Sequence, residues 1–137
     1  MIAVEDLHHV SVNVTDLERA RTFYATVLGL RELPRPAFDF AGAWYGLGDR
    51  QLHLIVHPPT RTLRGTTAID GRDGHLALRI ADFDEALTHL RRHGVTVRER
   101  RDNPTPWAQI YLTDPDGNVI ELNAVRDAGR AGAARAG

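Results

Sequence analysis

From residue 7 the chain alternates. In LHHVSVNV, Val10, Val12 and Val14 share one face, and His9, Ser11 and Asn13 share the other. That is the two-residue period of a half-buried strand. The period then changes. Leu17, Ala20, Tyr24, Val27 and Leu28 recur at helical spacing, and Gly29 offers a left-handed stop. Thr15, with Glu18 three residues on, reads as a capping box at the start of this helix. Strands are predicted at about 30–34, 38–46 and 51–56, separated by Pro34, Pro36 and the turn at 48–50.

Residues 57–73, HPPTRTLRGTTAIDGRD, show no period and read as a linker. The pattern then restarts. HLALRI at 75–80 alternates, and Asp82 with Glu85 opens a second helix. Phe83, Ala86, Leu87 and Leu90 form its apolar stripe, and Gly94 closes it. Strands follow at about 95–100, 107–113 and 118–124, the last two joined by DPDGN. The order βαβββ therefore occurs twice, which predicts an α+β fold. Module one is 6–56 and module two 74–124 of a single domain over 1–126. The Ala/Gly/Arg-rich segment 127–137 lacks apolar surface and reads as a disordered tail.

The repeat has a register, and the register carries the chemistry. His9 and His75 occupy equivalent points in the first strand of each half, 66 residues apart. His53 and Glu121 occupy equivalent points in the last strand, 68 apart. All four are metal-ligand types, and all four sit out of phase with their strand's apolar residues. Side chains alternate across a strand, so all four face away from the sides that pack under the helices. A lone strand histidine is usually structural. Four ligand types at repeat-equivalent, same-facing positions point instead to one divalent ion held by nitrogen and oxygen donors. His89 and His93 also have the spacing of helical ligands, but they lie off the apolar face among Arg91 and Arg92 and carry little weight.

Composition narrows the chemistry further. The 137 residues include no cysteine, so thiolate metal sites, disulfides and cysteine nucleophiles are excluded. Net charge is −1, which predicts no nucleic-acid partner, and no apolar run approaches a membrane span. No signal-peptide pattern is visible, and a cytoplasmic protein is expected. All 17 basic residues are arginine.

The segment LHHVSVNVTDLERARTFYATVLGL resembles the opening of vicinal oxygen chelate (glyoxalase-like) proteins, and DPDGNVIEL resembles their last strand with its ligand glutamate. The resemblance covers residues 6 to 124. It implies two βαβββ modules forming a cupped, mixed sheet around one metal ion, which is Zn, Ni, Mn or Fe. His9, His75 and Glu121 fall on the family's ligand positions, with His53 on the fourth. In glyoxalase I of the bacterial type that fourth position is a glutamate, so His53 is a departure that weakens the expectation of hemithioacetal isomerisation. The resemblance also implies a homodimer.

A chelated ion can stabilise charge developing on a substrate with two adjacent oxygens. The expectation is a metal-dependent lyase, isomerase or transferase acting on such a small molecule, with Glu121 as the catalytic proton-transfer group. The alternatives are a drug-sequestering protein of the bleomycin-resistance type and an Fe(II) dioxygenase. Trp44, Arg79, Trp107, Gln109 and Tyr111 are the candidate substrate contacts. The last three share a strand face, and Arg79 is in phase with His75.

Overall fold

The computed structural model describes residues 1–126; the predicted tail lies outside them. The two βαβββ modules are present. In the first, β1 (His9–Val14) leads into helix α1 (Leu17–Arg21) and a wider helical stretch, Thr22–Val27. Strands β2 (Glu32–Leu33), β3 (Gly42–Leu47) and β4 (Arg50–Val56) follow. The second repeats the order: β5 (His75–Arg79), α2 (Phe83–Arg92), β6 (Arg98–Arg100), β7 (Trp107–Thr113) and β8 (Val119–Val125). Between the modules, residues 57–74 form no regular element.

Strand pairing closes within each module. The sheets have the orders β1-β4-β3-β2 and β5-β8-β7-β6, the same connectivity twice. In each, the first strand runs parallel to the last, and the other pairings are antiparallel. The chain divides into two compact units: residues 1–67 with the turn 114–118, and residues 68–113 with those from 119 onward.

The fully buried apolar residues come from the phases read as apolar, and in β4, β7 and β8 the opposite face, with His53, Gln109, Tyr111, Glu121 and Asn123, is buried too. Val14, Ala20, Tyr24, Tyr45, Leu52 and Leu54 form the core of the first unit. Phe83, Leu87, Leu90, Ile110, Leu112, Ile120 and Leu122 are buried in the second. Two details of the first helix differ from expectation. Its N-cap is Asp16, whose carboxylate accepts from the Arg19 N–H, and not Thr15. The Thr15 hydroxyl donates instead to Asp116 at 2.5 Å. After Arg21 the helix widens, with the Leu28 N–H reaching back five residues to Phe23 O. This turn lets adjacent Phe23 and Tyr24 both point inward, where the regular period selects only Tyr24. The second helix is capped by Asp82 as predicted and ends at Gly94, whose φ is +67°.

The DPDGN turn is built into the first unit. The Asp114 carboxylate is 1% exposed and accepts from the Tyr24 hydroxyl, the Asn118 amide and two backbone N–H groups, those of Asp116 and Asn118. Asp116 accepts from Thr15 and Arg19, and Asn118 donates to Asn13 O. Gly117 has φ +88°, and a Cβ there would lie 1.9 Å from Thr66 O, so no side chain fits.

Candidate metal centre

The structure brings the four predicted ligands together as two pairs, one in each unit. Among the described residues no group of three or more His, Cys, Asp or Glu side chains is gathered.

In the first unit the pair is His9 and His53. Strands β1 and β4 run side by side in parallel, with Ser11 opposite His53. The two imidazoles stack with centroids 4.1 Å apart. Trp44 is the antiparallel partner of His53 and stacks on its other face at 4.2 Å. Trp44 therefore shares the histidine face of β3, and Tyr45 is fully buried on the other. His53 Nε2 lies 2.8 Å from Gln51 Oε1. With Nε2–H donating there, Nδ1 presents the lone pair. Burial first, and then the neighbouring His9, His8 and Arg35 charges, hold the His53 pKa below its ordinary value, which favours the neutral ring a ligand needs. The adjacent His8 brings Nδ1 to 2.8 Å from His9 Nδ1.

In the second unit the pair is His75 and Glu121. His75 Nδ1 lies 2.8 Å from Asp73 O, a geometry in which Nδ1–H donates to that carbonyl. Nε2 is then left as a lone pair, 3.7 Å from Glu121 Oε1. This is the arrangement by which proteins fix the tautomer of a ligand histidine. The Glu121 carboxylate is 5% exposed and is held by three donors. Gln109 Nε2 and the Tyr111 hydroxyl both donate to Oε1 at 2.8 Å, and Asn123 Nδ2 donates to Oε2 at 2.6 Å. The alternation of β7 and β8 explains the cluster: Tyr111 pairs directly with Glu121, and Gln109 with Asn123.

Two sequence-predicted substrate contacts, Gln109 and Tyr111, thus direct their donors at Glu121. Arg79 and Trp107 lie together, the guanidinium 5.4 Å over the indole. Gln51, Asn123 and the Asp73 carbonyl were not singled out from sequence. Gln51 and Asn123 each stand two residues from a ligand on the same strand, so alternation carried the signal for both.

Burial first, and then the hydrogen bond to Glu121, push the Tyr111 hydroxyl up to about 12. Tyr45 rises to about 12 and Tyr24 well above its ordinary value, both chiefly by burial. A tyrosine whose folded pKa lies above its unfolded value near 10 binds its proton more tightly in the native state. Its contribution is complete below pH 10 and is lost as pH rises toward 12. Melting temperature should therefore fall steeply between pH 10 and pH 12, and less steeply in Tyr111→Phe. An equal slope in the two proteins would contradict the assignment for Tyr111.

An exposed histidine lone pair facing a buried, hydrogen-bonded carboxylate beyond hydrogen-bond distance fits a shared cation. Within the first unit, His9 and His53 are a second pair of side chains of a donor type that suits a divalent ion. Removing the Tyr111 hydroxyl should weaken divalent-ion affinity by about 10- to 100-fold, the usual effect of losing a partner that orients a ligand. Competition titration of Tyr111→Phe checks this; unchanged affinity would mean that the hydroxyl does not position Glu121.

Comparison with known proteins agrees with the fold. The chain is 30% identical over 129 residues to lactoylglutathione lyase of Salmonella typhimurium, covering 90% of this chain and 96% of that one. The structure of a glyoxalase family protein from Bacillus anthracis superposes with a TM-score of 0.77 at 25% identity, over 92% of this chain and 99% of that one. An antibiotic binding protein from a Streptomyces species superposes with a TM-score of 0.70 at 27% identity, over 92% and 100%. Residues 6–122, from just before β1 to within β8, match one family description throughout: the chain belongs to the Glyoxalase/Bleomycin resistance protein/Dioxygenase superfamily.

Proposed function

We propose that this chain is a metal-dependent, glyoxalase-like enzyme of the lyase, isomerase or transferase type. In this reading it acts on a small substrate that chelates one divalent ion through adjacent oxygens. The observation that carries the reading is the His75–Glu121 pair. The imidazole is fixed by Asp73 O with its Nε2 lone pair free, and the carboxylate is fixed by three donors. His75, Glu121, His9 and His53 are the proposed ligands, and Zn, Ni, Mn and Fe all suit such donors.

When bound, the ion supplies Lewis acidity to negative charge developing on the substrate. The chain's own groups do the rest. His75 presents Nε2 because Asp73 O takes the proton on Nδ1. Glu121 Oε1 already accepts two hydrogen bonds, whereas Oε2 accepts one and keeps a lone pair. Oε2 is therefore the atom proposed to take a proton from carbon beside a carbonyl and to return it. Gln109, Tyr111 and Asn123 hold that carboxylate in place throughout. Neutral His53 is the proposed partner for proton transfer if it is not itself a ligand. Relatedness to a lactoylglutathione lyase supports the lyase reading. The histidine at 53, where bacterial glyoxalase I has glutamate, places hemithioacetal isomerisation below a general glyoxalase-like assignment.

A second reading rests on a different feature of the first unit. Phe40, Phe38, Trp44, His53 and His9 form a row of rings in successive contact. Phe38 and Phe40 are 46% and 40% exposed. Such a row suits a planar drug, and the likeness to an antibiotic binding protein supports a sequestering role. Assembly as a homodimer in the cytoplasm completes the proposal. No helix among the described residues is long and apolar enough to cross a membrane.

The two readings separate in one experiment. Thiol–aldehyde adducts, epoxides and catechols are offered to metal-loaded and chelator-stripped protein. Turnover is expected on one class and only with metal. Turnover that survives complete metal removal would reject the mechanism. Tight binding of a large aromatic drug without any turnover would establish the sequestering role instead.

A further inference from the structure

Beside Glu121 lies a second polar group, of which the metal reading uses only the Asn123 amide N–H. Arg79 ends β5 and is exposed. It stands in register with Asn123 of β8, which in turn pairs with Gln109 of β7. The guanidinium extends over the Trp107 ring at 5.4 Å. Among the described residues no acidic side chain reaches it. The arginines of this unit that face acids are paired: Arg91 with Glu99 at 2.7 Å, and Arg101 with Asp84 at 2.7 Å. Two buried polar atoms of the same group also have no partner, Trp107 Nε1 and Asn123 Oδ1. A buried donor or acceptor left unmade is costly and rare. Two of them, beside a cation that has no acidic partner among the described residues, mark a place where a ligand supplies the missing atoms, and Asn123 is itself one hydrogen bond away from Glu121.

We propose that Arg79, Trp107 and Asn123 form a subsite for a carboxylate carried by the substrate, adjoining the atoms that chelate the metal. The guanidinium offers a planar fork that matches a carboxylate in shape and in single charge. The indole N–H adds a neutral donor to the same anion, and Asn123 Oδ1 accepts a hydroxyl hydrogen of the ligand. The substrate class is then a small organic acid with two adjacent oxygens, as distinct from a neutral diol or catechol. This rests on the metal-dependent reading proposed above.

The test uses two probes with the same chelating pair, catechol and its carboxylated analogue protocatechuate. Each is titrated into cobalt-loaded protein and followed by the visible cobalt spectrum and by tryptophan fluorescence. Protocatechuate should bind on the order of tenfold more tightly than catechol, the effect of one charge-assisted hydrogen-bonded contact. That preference should vanish in Arg79→Met and shrink in Trp107→Phe, which keeps the ring and removes the N–H. Catechol affinity should be unchanged in both. Equal binding of the two probes to the unmodified protein, or a preference that survives Arg79→Met, overturns the subsite and leaves the metal reading standing. A cobalt spectrum that neither probe perturbs overturns the metal reading and the subsite with it. Arg79 is exposed, so its variant is expected to fold, and a melting curve checks that separately.

Discussion

Replacing Glu121 by Gln should lower divalent-metal affinity by about a hundredfold or more. A ligand's supporting partners alone are worth about 10- to 100-fold, and the ligand itself is worth more. The substitution acts twice. It removes the negative charge facing the Nε2 of His75, and it sets an amide N–H₂ against donors that now converge on two acceptor oxygens. Gln109 and Tyr111 both donate to Oε1, and Asn123 donates to Oε2, so either orientation of the amide leaves at least one buried donor opposed by another. A modest loss of stability should accompany the loss of metal. Dialysis against limiting zinc, followed by metal analysis and a melting curve, reads both effects. Full metal retention by Glu121→Gln would mean that this carboxylate is structural.

Asp114→Ala should be the most destabilising of the single changes considered. The side chain accepts four hydrogen bonds while 1% exposed, two of them from backbone N–H groups of its own turn. The others come from the Tyr24 hydroxyl and the Asn118 amide. Removing the acceptor strands the donors at once. A loss of about 3 kcal/mol or more is expected, within the range of broken buried networks. The Tyr24 hydroxyl is itself fully buried, so water is not available to replace the bond cheaply. Tyr24→Phe should cost less, because Asp114 keeps three of its donors. Urea unfolding of the two variants orders them. A smaller loss for Asp114→Ala than for Tyr24→Phe would contradict the network described here.

Much of this architecture is legible in the order of residues. Alternation in LHHVSVNV and HLALRI, and the restart at residue 75, predict the paired modules, because a period of two leaves no freedom about which face an apolar set occupies. The same alternation places His9, His53, His75 and Glu121 away from the cores. Other features are not local. Thr15 and Asp16 are both good caps. Asp16 takes that role while Thr15 bonds to Asp116, a residue about a hundred positions away that no local pattern reveals. The widened turn at Thr22–Val27 likewise reflects packing that buries both Phe23 and Tyr24. The roles of Gln109 and Tyr111 were only half visible. Their shared face follows from β7 alone, but that the face meets Glu121 follows from the β7–β8 register.

The proposed function requires one divalent ion per chain, with His9, His53, His75 and Glu121 as its proposed ligands. Metal analysis of protein purified without a nickel column tests it most directly. Close to one ion per chain is predicted for the unmodified protein, with most of it lost on dialysis from His9→Ala, His75→Ala and Glu121→Gln. Protein that binds no divalent ion even when zinc, nickel, manganese or iron is supplied, or variants that all retain it in full, would contradict the account.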